Sequence, residues 1–269
     1  MLSVIKNETT KVFANKVFWL LAALGALLTL TPGLLALAIP KAYAWDYAYS
    51  LFNIILQSFS LTLIVYLNGK LLAQEIATGG FRLLLERYKK TWKLVFGKLI
   101  TIIYLILAYQ LLLFFLYIGT TYLCLSTPDN TSNYILDSFL LTAFRHSQTE
   151  SILLNTIFLN VPFCFFLSTF CTTELFASLF LLSITSFPYM VKMREAYWLM
   201  ENEWLAMILY YTPLETIRHF YYLLVLDGAQ LAGLYPHFLP SFTWSSILTV
   251  IYFLGFIFIP LWYLKKEKV

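Results

Sequence analysis

Residues 69–98 read GKLLAQEIATGGFRLLLERYKKTWKLVFGK, a charged amphipathic stretch set between two long apolar runs. Phe81, Leu84, Leu85, Tyr88, Trp92 and Val95 recur at i, i+3, i+4, i+7, i+11 and i+14. Arg82, Glu86, Lys89, Lys90 and Lys93 take the other face, so the spacing predicts a helix over 81–95 lying in an interface. Glycine is a poor helix interior and adopts backbone geometries that other residues avoid. Gly79 and Gly80 are therefore expected to end the helix leaving the preceding span and to lay the next one along the membrane surface. On pattern alone the segment reads either as a lipid anchor, with lysines against anionic headgroups, or as a surface on which an outside motor pushes.

Working outward, 60% of the chain is hydrophobic, 19% aromatic and only 12% charged. Soluble domains carry about 25% charged residues, so this chain cannot cover itself with a polar surface and is expected to be integral to a membrane. The windows 17–40, 47–69, 99–128, 151–173, 175–191 and 228–264 contain no Asp, Glu, Lys or Arg. Each can hold the roughly 17–25 residues that cross a hydrocarbon core, so we expect an all-α polytopic protein with spans over 17–40, 47–69, 99–124, 151–173, 175–191 and 242–264. The runs are continuous rather than alternating, which argues against a β-barrel. The whole chain, 1–269, is expected to form one transmembrane domain.

Orientation follows from Lys and Arg. With the N-terminus inside, Lys6, Lys11, Lys16, Lys70, Arg82, Arg87, Lys89, Lys90, Lys93, Lys98, Lys265, Lys266 and Lys268 are cytosolic, against Lys41, Arg145, Lys192, Arg194 and Arg218 outside. Both termini are expected on the cytosolic side of a plasma membrane. The first apolar run is long enough to span and carries no cleavage-type site after a short core, so it does not read as a removable signal. Cys124, Cys164 and Cys171 lie in or beside spans without metal-like spacing and read as packing residues. The sequon at Asn130 falls outside and is short enough to arise by chance.

Residues 1–16 place Ile5, Val12, Phe13 and, just beyond, Val17 among Lys6, Glu8, Lys11 and Lys16, an amphipathic helix expected on the inner leaflet. The second span carries Asn53, Gln57 and Ser60 at i, i+4 and i+7, and the fourth carries Asn155 and Asn160 ahead of Pro162. Uncharged polar groups in hydrocarbon need partners, so these faces point into protein, as helix packing or as the lining of a path. No carboxylate or basic group lies at mid-depth, and Glu174 sits at the turn between spans four and five. An ion-driven carrier is therefore disfavoured. Residues 192–241 are too apolar for a solvated loop. Within them Thr212-Pro213-Leu214-Glu215 forms a capping box with proline at the first helical position, and Asp227-Gly228 supplies the stop. Together with Trp204–Tyr211 this segment reads as an external re-entrant hairpin, tolerated at depth where protein or a cavity surrounds it, or else as a loop helix packed on the outer surface.

Familiar chemistry is missing. Gly69-Lys70 and Gly97-Lys98 lack the upstream glycine and following Ser or Thr of a phosphate-binding loop, and no H-E-x-x-H or G-x-S-x-G occurs. His146, His219 and His237 are scattered outside. No catalytic residue, metal ligand or cofactor is expected in this chain.

The basic segment resembles the membrane subunits of ATP-binding-cassette exporters of the type-2, drug and polysaccharide export class. In those permeases the link between spans two and three carries an acidic residue, a Gly-Thr pair followed by Arg or Lys and leucines, then a basic stretch and a lysine opening span three. Here Glu75, Gly79, Arg82, Leu83 to Leu85, Arg87, Lys90 and Lys98 stand in that order, with Gly80 where Thr is usual and Tyr88 where proline often precedes the basic residue. The run from Thr212 to Phe220, ending at Gly228, is similar to the Asn-Pro-Leu…Phe-Arg…Gly stretch of the external hairpin before their last span, without the asparagine and with Arg218 and Phe220 displaced.

The resemblance implies a permease subunit that works as a homo- or heterodimer with a separate soluble ATPase, which would bind ATP and Mg. Glu75, Gly79, Gly80, Arg82, Leu85, Arg87, Tyr88, Lys90, Trp92 and Lys98 would form the coupling segment 70–98, with Glu75 and Arg82 holding the elbow and the aromatic face seated in an ATPase groove. Asn53, Gln57 and Ser60 would line the path, and Pro213, Glu215, Arg218 and Phe220 the external gate. The implied cargo is a lipid, a hydrophobic peptide or an amphipathic drug. The alternative from another class is a non-transporting membrane scaffold or immunity protein that sequesters a peptide or lipid.

Overall fold

The computed structural model describes residues 1–39, 41–88, 90–125, 153–154, 156–170 and 242–266. The predicted span 175–191, the external segment 192–241 with Pro213, Glu215, Arg218 and Phe220, and the sequon lie outside the described residues. Among the described residues every element is helical: α1 (Leu2–Phe13), α2 (Lys16–Thr29), α3 (Thr31–Ala36), α4 (Lys41–Asn68), a π turn at Gly69–Ala73, α5 (Gln74–Ala77), α6 (Gly80–Tyr88), α7 (Thr91–Leu125), a second π turn at Thr156–Asn160, α8 (Val161–Phe170) and α9 (Phe242–Lys266). Among the described residues four stretches are long and apolar enough to cross a membrane: Lys16–Ala36, Tyr47–Ala77, Thr91–Leu125 and Ser246–Lys266. The chain is an α-helical membrane protein. Thr156–Phe170 is an apolar helical stretch inside the expected fourth span, whose residues 151–152, 155 and 171–173 lie outside the described residues.

The chain divides into two compact units, one of residues 2–64 and 100–153, the other of residues 65–99 and 154–269 together with Met1. In the first, α2 and α3 run parallel to α7. The Tyr109 hydroxyl donates to the Ala22 carbonyl (3.4 Å) and fills the space beside Gly25, while eight residues further on Gly33 lies against the backbone of Thr121. α4 runs antiparallel to α7. Phe52 stacks on Tyr117 at 4.1 Å and 9°, Tyr49 lies 6.0 Å from the same ring, and Phe59 packs beside Gly25 near Tyr109.

α1 buries Val4, Glu8 and Val12 at i, i+4 and i+8, and the Thr9 and Tyr104 hydroxyls share a hydrogen bond that ties it to α7. Of the residues that give α1 its amphipathic pattern, Val12 and Glu8 are buried against the chain while Phe13 and Val17 are exposed. Lys11 lies within reach of the Glu8 carboxylate (3.0 Å), which lets an acid take an inward position.

In the second unit, α8 and α9 also run parallel. Aromatic contacts climb both helices together: Phe158 with Phe253 (5.8 Å), Phe163 and Phe166 with Phe256 (5.2 and 5.7 Å), and Phe170 with Tyr263 (4.8 Å). Pro162 has no N–H to give the carbonyl one turn back, and the turn before it widens into the π form. Cys164 is buried on α8 as a free thiol, in keeping with a packing role, and α8 packs against the first π turn.

A Cβ at Gly33 would lie 3.0 Å from the Thr121 Cα and 3.1 Å from its nitrogen, backbone atoms that cannot swing aside. Gly33→Val should therefore destabilise the protein by about 1–3 kcal/mol through overpacking. Gly119→Val, at a position with nothing within 4 Å, serves as the control. The check is the thermal midpoint in detergent, which should fall only for the first variant.

Candidate functional site

The elbow between α5 and α7 is contained in the second unit, which includes residues 65–99. Its approach is the π turn. The Gln74 N–H bonds to the Gly69 carbonyl five residues back, so the helix widens and Leu71, Leu72 and Ala73 are all buried in succession. After one turn of α5 the Thr78 N–H and hydroxyl both donate to the Gln74 carbonyl (3.0 and 2.8 Å). Gly79 then takes φ 73°, the left-handed conformation that commonly ends a helix and that glycine adopts without a Cβ penalty. Its N–H closes onto the Ile76 carbonyl (3.2 Å), and its own carbonyl receives the Arg82 N–H (3.2 Å), opening α6.

Lys98 closes the elbow. Its side chain is fully buried, 0% exposed, seven residues into α7 among the buried Leu94, Val95 and Leu99. The ammonium lies 2.6 Å from Glu75 Oε2 and donates to the Leu71 carbonyl at 2.7 Å. A lysine can be this deeply buried only when paired and hydrogen-bonded, and the π turn presents the carbonyl that supplies the second bond. Glu75 and Lys98, 23 positions apart, are brought together; Arg82, expected to share the task of holding the elbow, is exposed instead.

α6 is shorter than the predicted 81–95 helix. It ends at Tyr88, and α7 begins at Thr91, with the Lys90 carbonyl accepting from the Lys93 and Leu94 N–H groups (3.1 and 3.4 Å). With Lys98 held against Glu75 and the Leu71 carbonyl, the chain turns between α6 and α7 rather than running on as one helix. Trp92 and Val95 accordingly belong to α7. Phe81 is buried and Leu84, Leu85 and Tyr88 are half-buried, so the apolar side of α6 faces its own chain. What α6 offers outward is Arg82, Leu83 (68% exposed), Glu86 and Arg87. Lys90 and Trp92 are exposed just beyond it. The Arg87 guanidinium lies 5.9 Å from the centre of the Tyr88 ring and the Lys93 ammonium 5.7 Å from that of Trp92.

The candidate path residues, in the first unit, do not share one environment: Ser60 is buried, Asn53 half-buried and Gln57 exposed. Among the described residues no group of three or more His, Cys, Asp or Glu side chains gathers in one place. The elbow joins two long apolar helices through an amphipathic one and is closed by the ion pair of the buried Lys98 with Glu75. Pattern reading missed the Leu71 carbonyl, which no side chain announces, and the outward place of Leu83. A lysine inside an apolar helical run was the signal for the clasp. No family model matches the chain, and no curated protein matches it.

Two outcomes follow from this geometry. Gly79→Ala forces an L side chain into φ 73° and should cost about 1–2 kcal/mol. Gly80→Ala, whose Cβ would meet only ordinary contacts from 3.5 Å outward, should be neutral or slightly stabilising, so the two glycines separate in thermal unfolding. Lys98→Met leaves the Glu75 carboxylate without its ammonium and should cost about 3 kcal/mol. Because Glu75 is 16% exposed, the loss should sit at the low end for buried pairs, and adding Glu75→Leu should restore most of it, measured as a double-mutant cycle.

Proposed function

We propose that this chain is the permease subunit of an ATP-driven exporter, with α6 as the helix through which a separate ATPase subunit acts. The observation that carries the reading is the elbow: a short amphipathic helix, outside the long apolar helices, whose exposed face of Arg82, Leu83, Glu86 and Arg87 stands between two membrane helices clasped by Glu75 and Lys98. A push on α6 would pass into α4 and α7 without being lost in a slack loop, because the clasp leaves the loop little freedom. The outward face is charged with one leucine, so a partner's groove would receive Arg82 and Leu83 rather than the aromatic side.

Six spans with both termini cytosolic, in a plasma membrane, complete the proposal. It is supported by helix directions within each unit. A six-span count requires spans one and three to be parallel, two and three antiparallel, and four and six parallel. α2 with α7, α4 with α7 and α8 with α9 run in those senses. In this reading two permease subunits form the path, the segment 192–241 closes its external end, and the cargo is a lipid, a hydrophobic peptide or an amphipathic drug. ATP and Mg belong to the partner subunit.

The test is co-purification of the chain with a candidate ATPase subunit, followed by hydrolysis measured for the wild type and for Arg82→Glu. The expected result is a stable complex whose hydrolysis falls by about tenfold in the variant, an interaction worth about 1.4 kcal/mol. If no ATPase associates under mild extraction, the exporter reading fails and the non-transporting scaffold takes its place.

A further inference from the structure

The corner between α1 and α2 is polarised in charge. α1 contains one acid, Glu8, and that side chain is turned inward, buried and bonded to Lys11. The outward surface of α1 keeps Lys6 beside the exposed Leu2 and Phe13, with no carboxylate. Where α2 begins, Lys16 is exposed at the foot of a single exposed stripe, Leu20, Leu24, Leu27 and Leu28, each a helical turn or less from the next. In a membrane-crossing helix that stripe faces acyl chains. A lysine one turn below it, about 6 Å along the axis, therefore stands where hydrocarbon gives way to headgroups.

Two aromatic side chains fix the same level. Phe13 and Trp19, both about half exposed, stack at 5.6 Å and 24°, and the Trp19 indole N–H donates to the Phe13 carbonyl at 2.8 Å. The indole is thus tied to the end of α1 with its face outward, in the manner of the aromatic belts that mark a membrane–water boundary. The Asn15 side chain caps α2 by accepting the Val17 N–H (2.9 Å), so the short link between the helices is held as well.

We infer that this corner binds the headgroups of anionic phospholipids, Lys6 and Lys16 pairing with their phosphates while Phe13 and Trp19 lie at the glycerol level. A lipid is the occupant because the cations are interleaved with exposed apolar side chains that continue unbroken into the leucine stripe of α2. A water-soluble protein covering Lys16 would meet Leu20, which belongs in hydrocarbon. The inference rests on the membrane character of α2 and stands independently of the exporter reading.

The experiment is native mass spectrometry of the full chain released from bilayers of phosphatidylcholine alone and of phosphatidylcholine mixed equally with phosphatidylglycerol, scoring the tightest bound lipid. The wild type should select phosphatidylglycerol. Lys6→Gln with Lys16→Gln should weaken that binding by roughly fivefold per lysine, Lys6→Arg with Lys16→Arg should preserve it, and Lys265→Gln with Lys266→Gln should spare it. Equal binding of phosphatidylcholine by the wild type, or undiminished selection in the glutamine pair, overturns the assignment. Displacement by free inorganic phosphate at matched concentration also overturns it, in favour of a simple anion site. A glutamine pair that unfolds in phosphatidylcholine is replaced by Lys16→Gln and Lys16→Arg singly, read the same way.

Discussion

A lysine ammonium placed where water does not reach sets the terms for the rest of the second unit. Lys98 is wholly buried, and the desolvation of such a charge costs several kcal/mol even after the protein relaxes. Only a close carboxylate and a properly aimed carbonyl offset that, and neither lies near it in sequence. The chain must therefore double back. The π turn aims the Leu71 carbonyl, one turn of α5 delivers Glu75, and Gly79 reverses direction so that α6 can return to the head of α7. The interaction makes residues 75–98 a closed loop, and the short length of α6 and its partial burial follow from that closure.

The first unit is held on a different principle. Helices already surrounded by lipid gain little from hydrophobic burial against each other, so close approach and packing contacts have to serve. Gly33 allows α3 to lie on the α7 backbone, and the Phe52–Tyr117 stack fills the seam between α4 and α7. Several hydroxyls in the spans turn back on their own helices: Thr29 to the Gly25 carbonyl, Thr62 to Ser58, Thr120 to Leu116, and in the other unit Ser168 and Thr169 to Phe165. A hydroxyl satisfied in this way can sit at depth without lining anything. Polar content alone is for that reason a poor guide to a transport path.

Much of the helical plan was legible because a continuous apolar run of span length has few other solutions. Gly79 was legible as the end of a helix for the same kind of reason, since few residues can take its conformation. The 81–95 helix was overextended because periodicity registers apolar spacing and is blind to the long-range contact of Lys98 with Glu75 and the Leu71 carbonyl that closes the loop. The amphipathic pattern of α1 was legible, but not that Glu8 would turn inward beside Val4 and Val12, because the Thr9–Tyr104 hydrogen bond that ties α1 to α7 has no sequence signature. The Glu75–Lys98 clasp was half visible, both residues being conspicuous and their meeting depending on a backbone widening that side-chain patterns do not encode.

The parallel pairing of α8 with α9 also bears on how the protein is made. Their aromatic contacts join residues 90–95 positions apart, so at about 5–20 residues per second α8 waits roughly 5–19 s in the membrane before α9 has been synthesised. During that wait a face built of amides or charges would seek other partners, whereas phenylalanine rings are at ease among acyl chains. The contact then forms by exchanging lipid for ring, which suits an interface whose second half is always late.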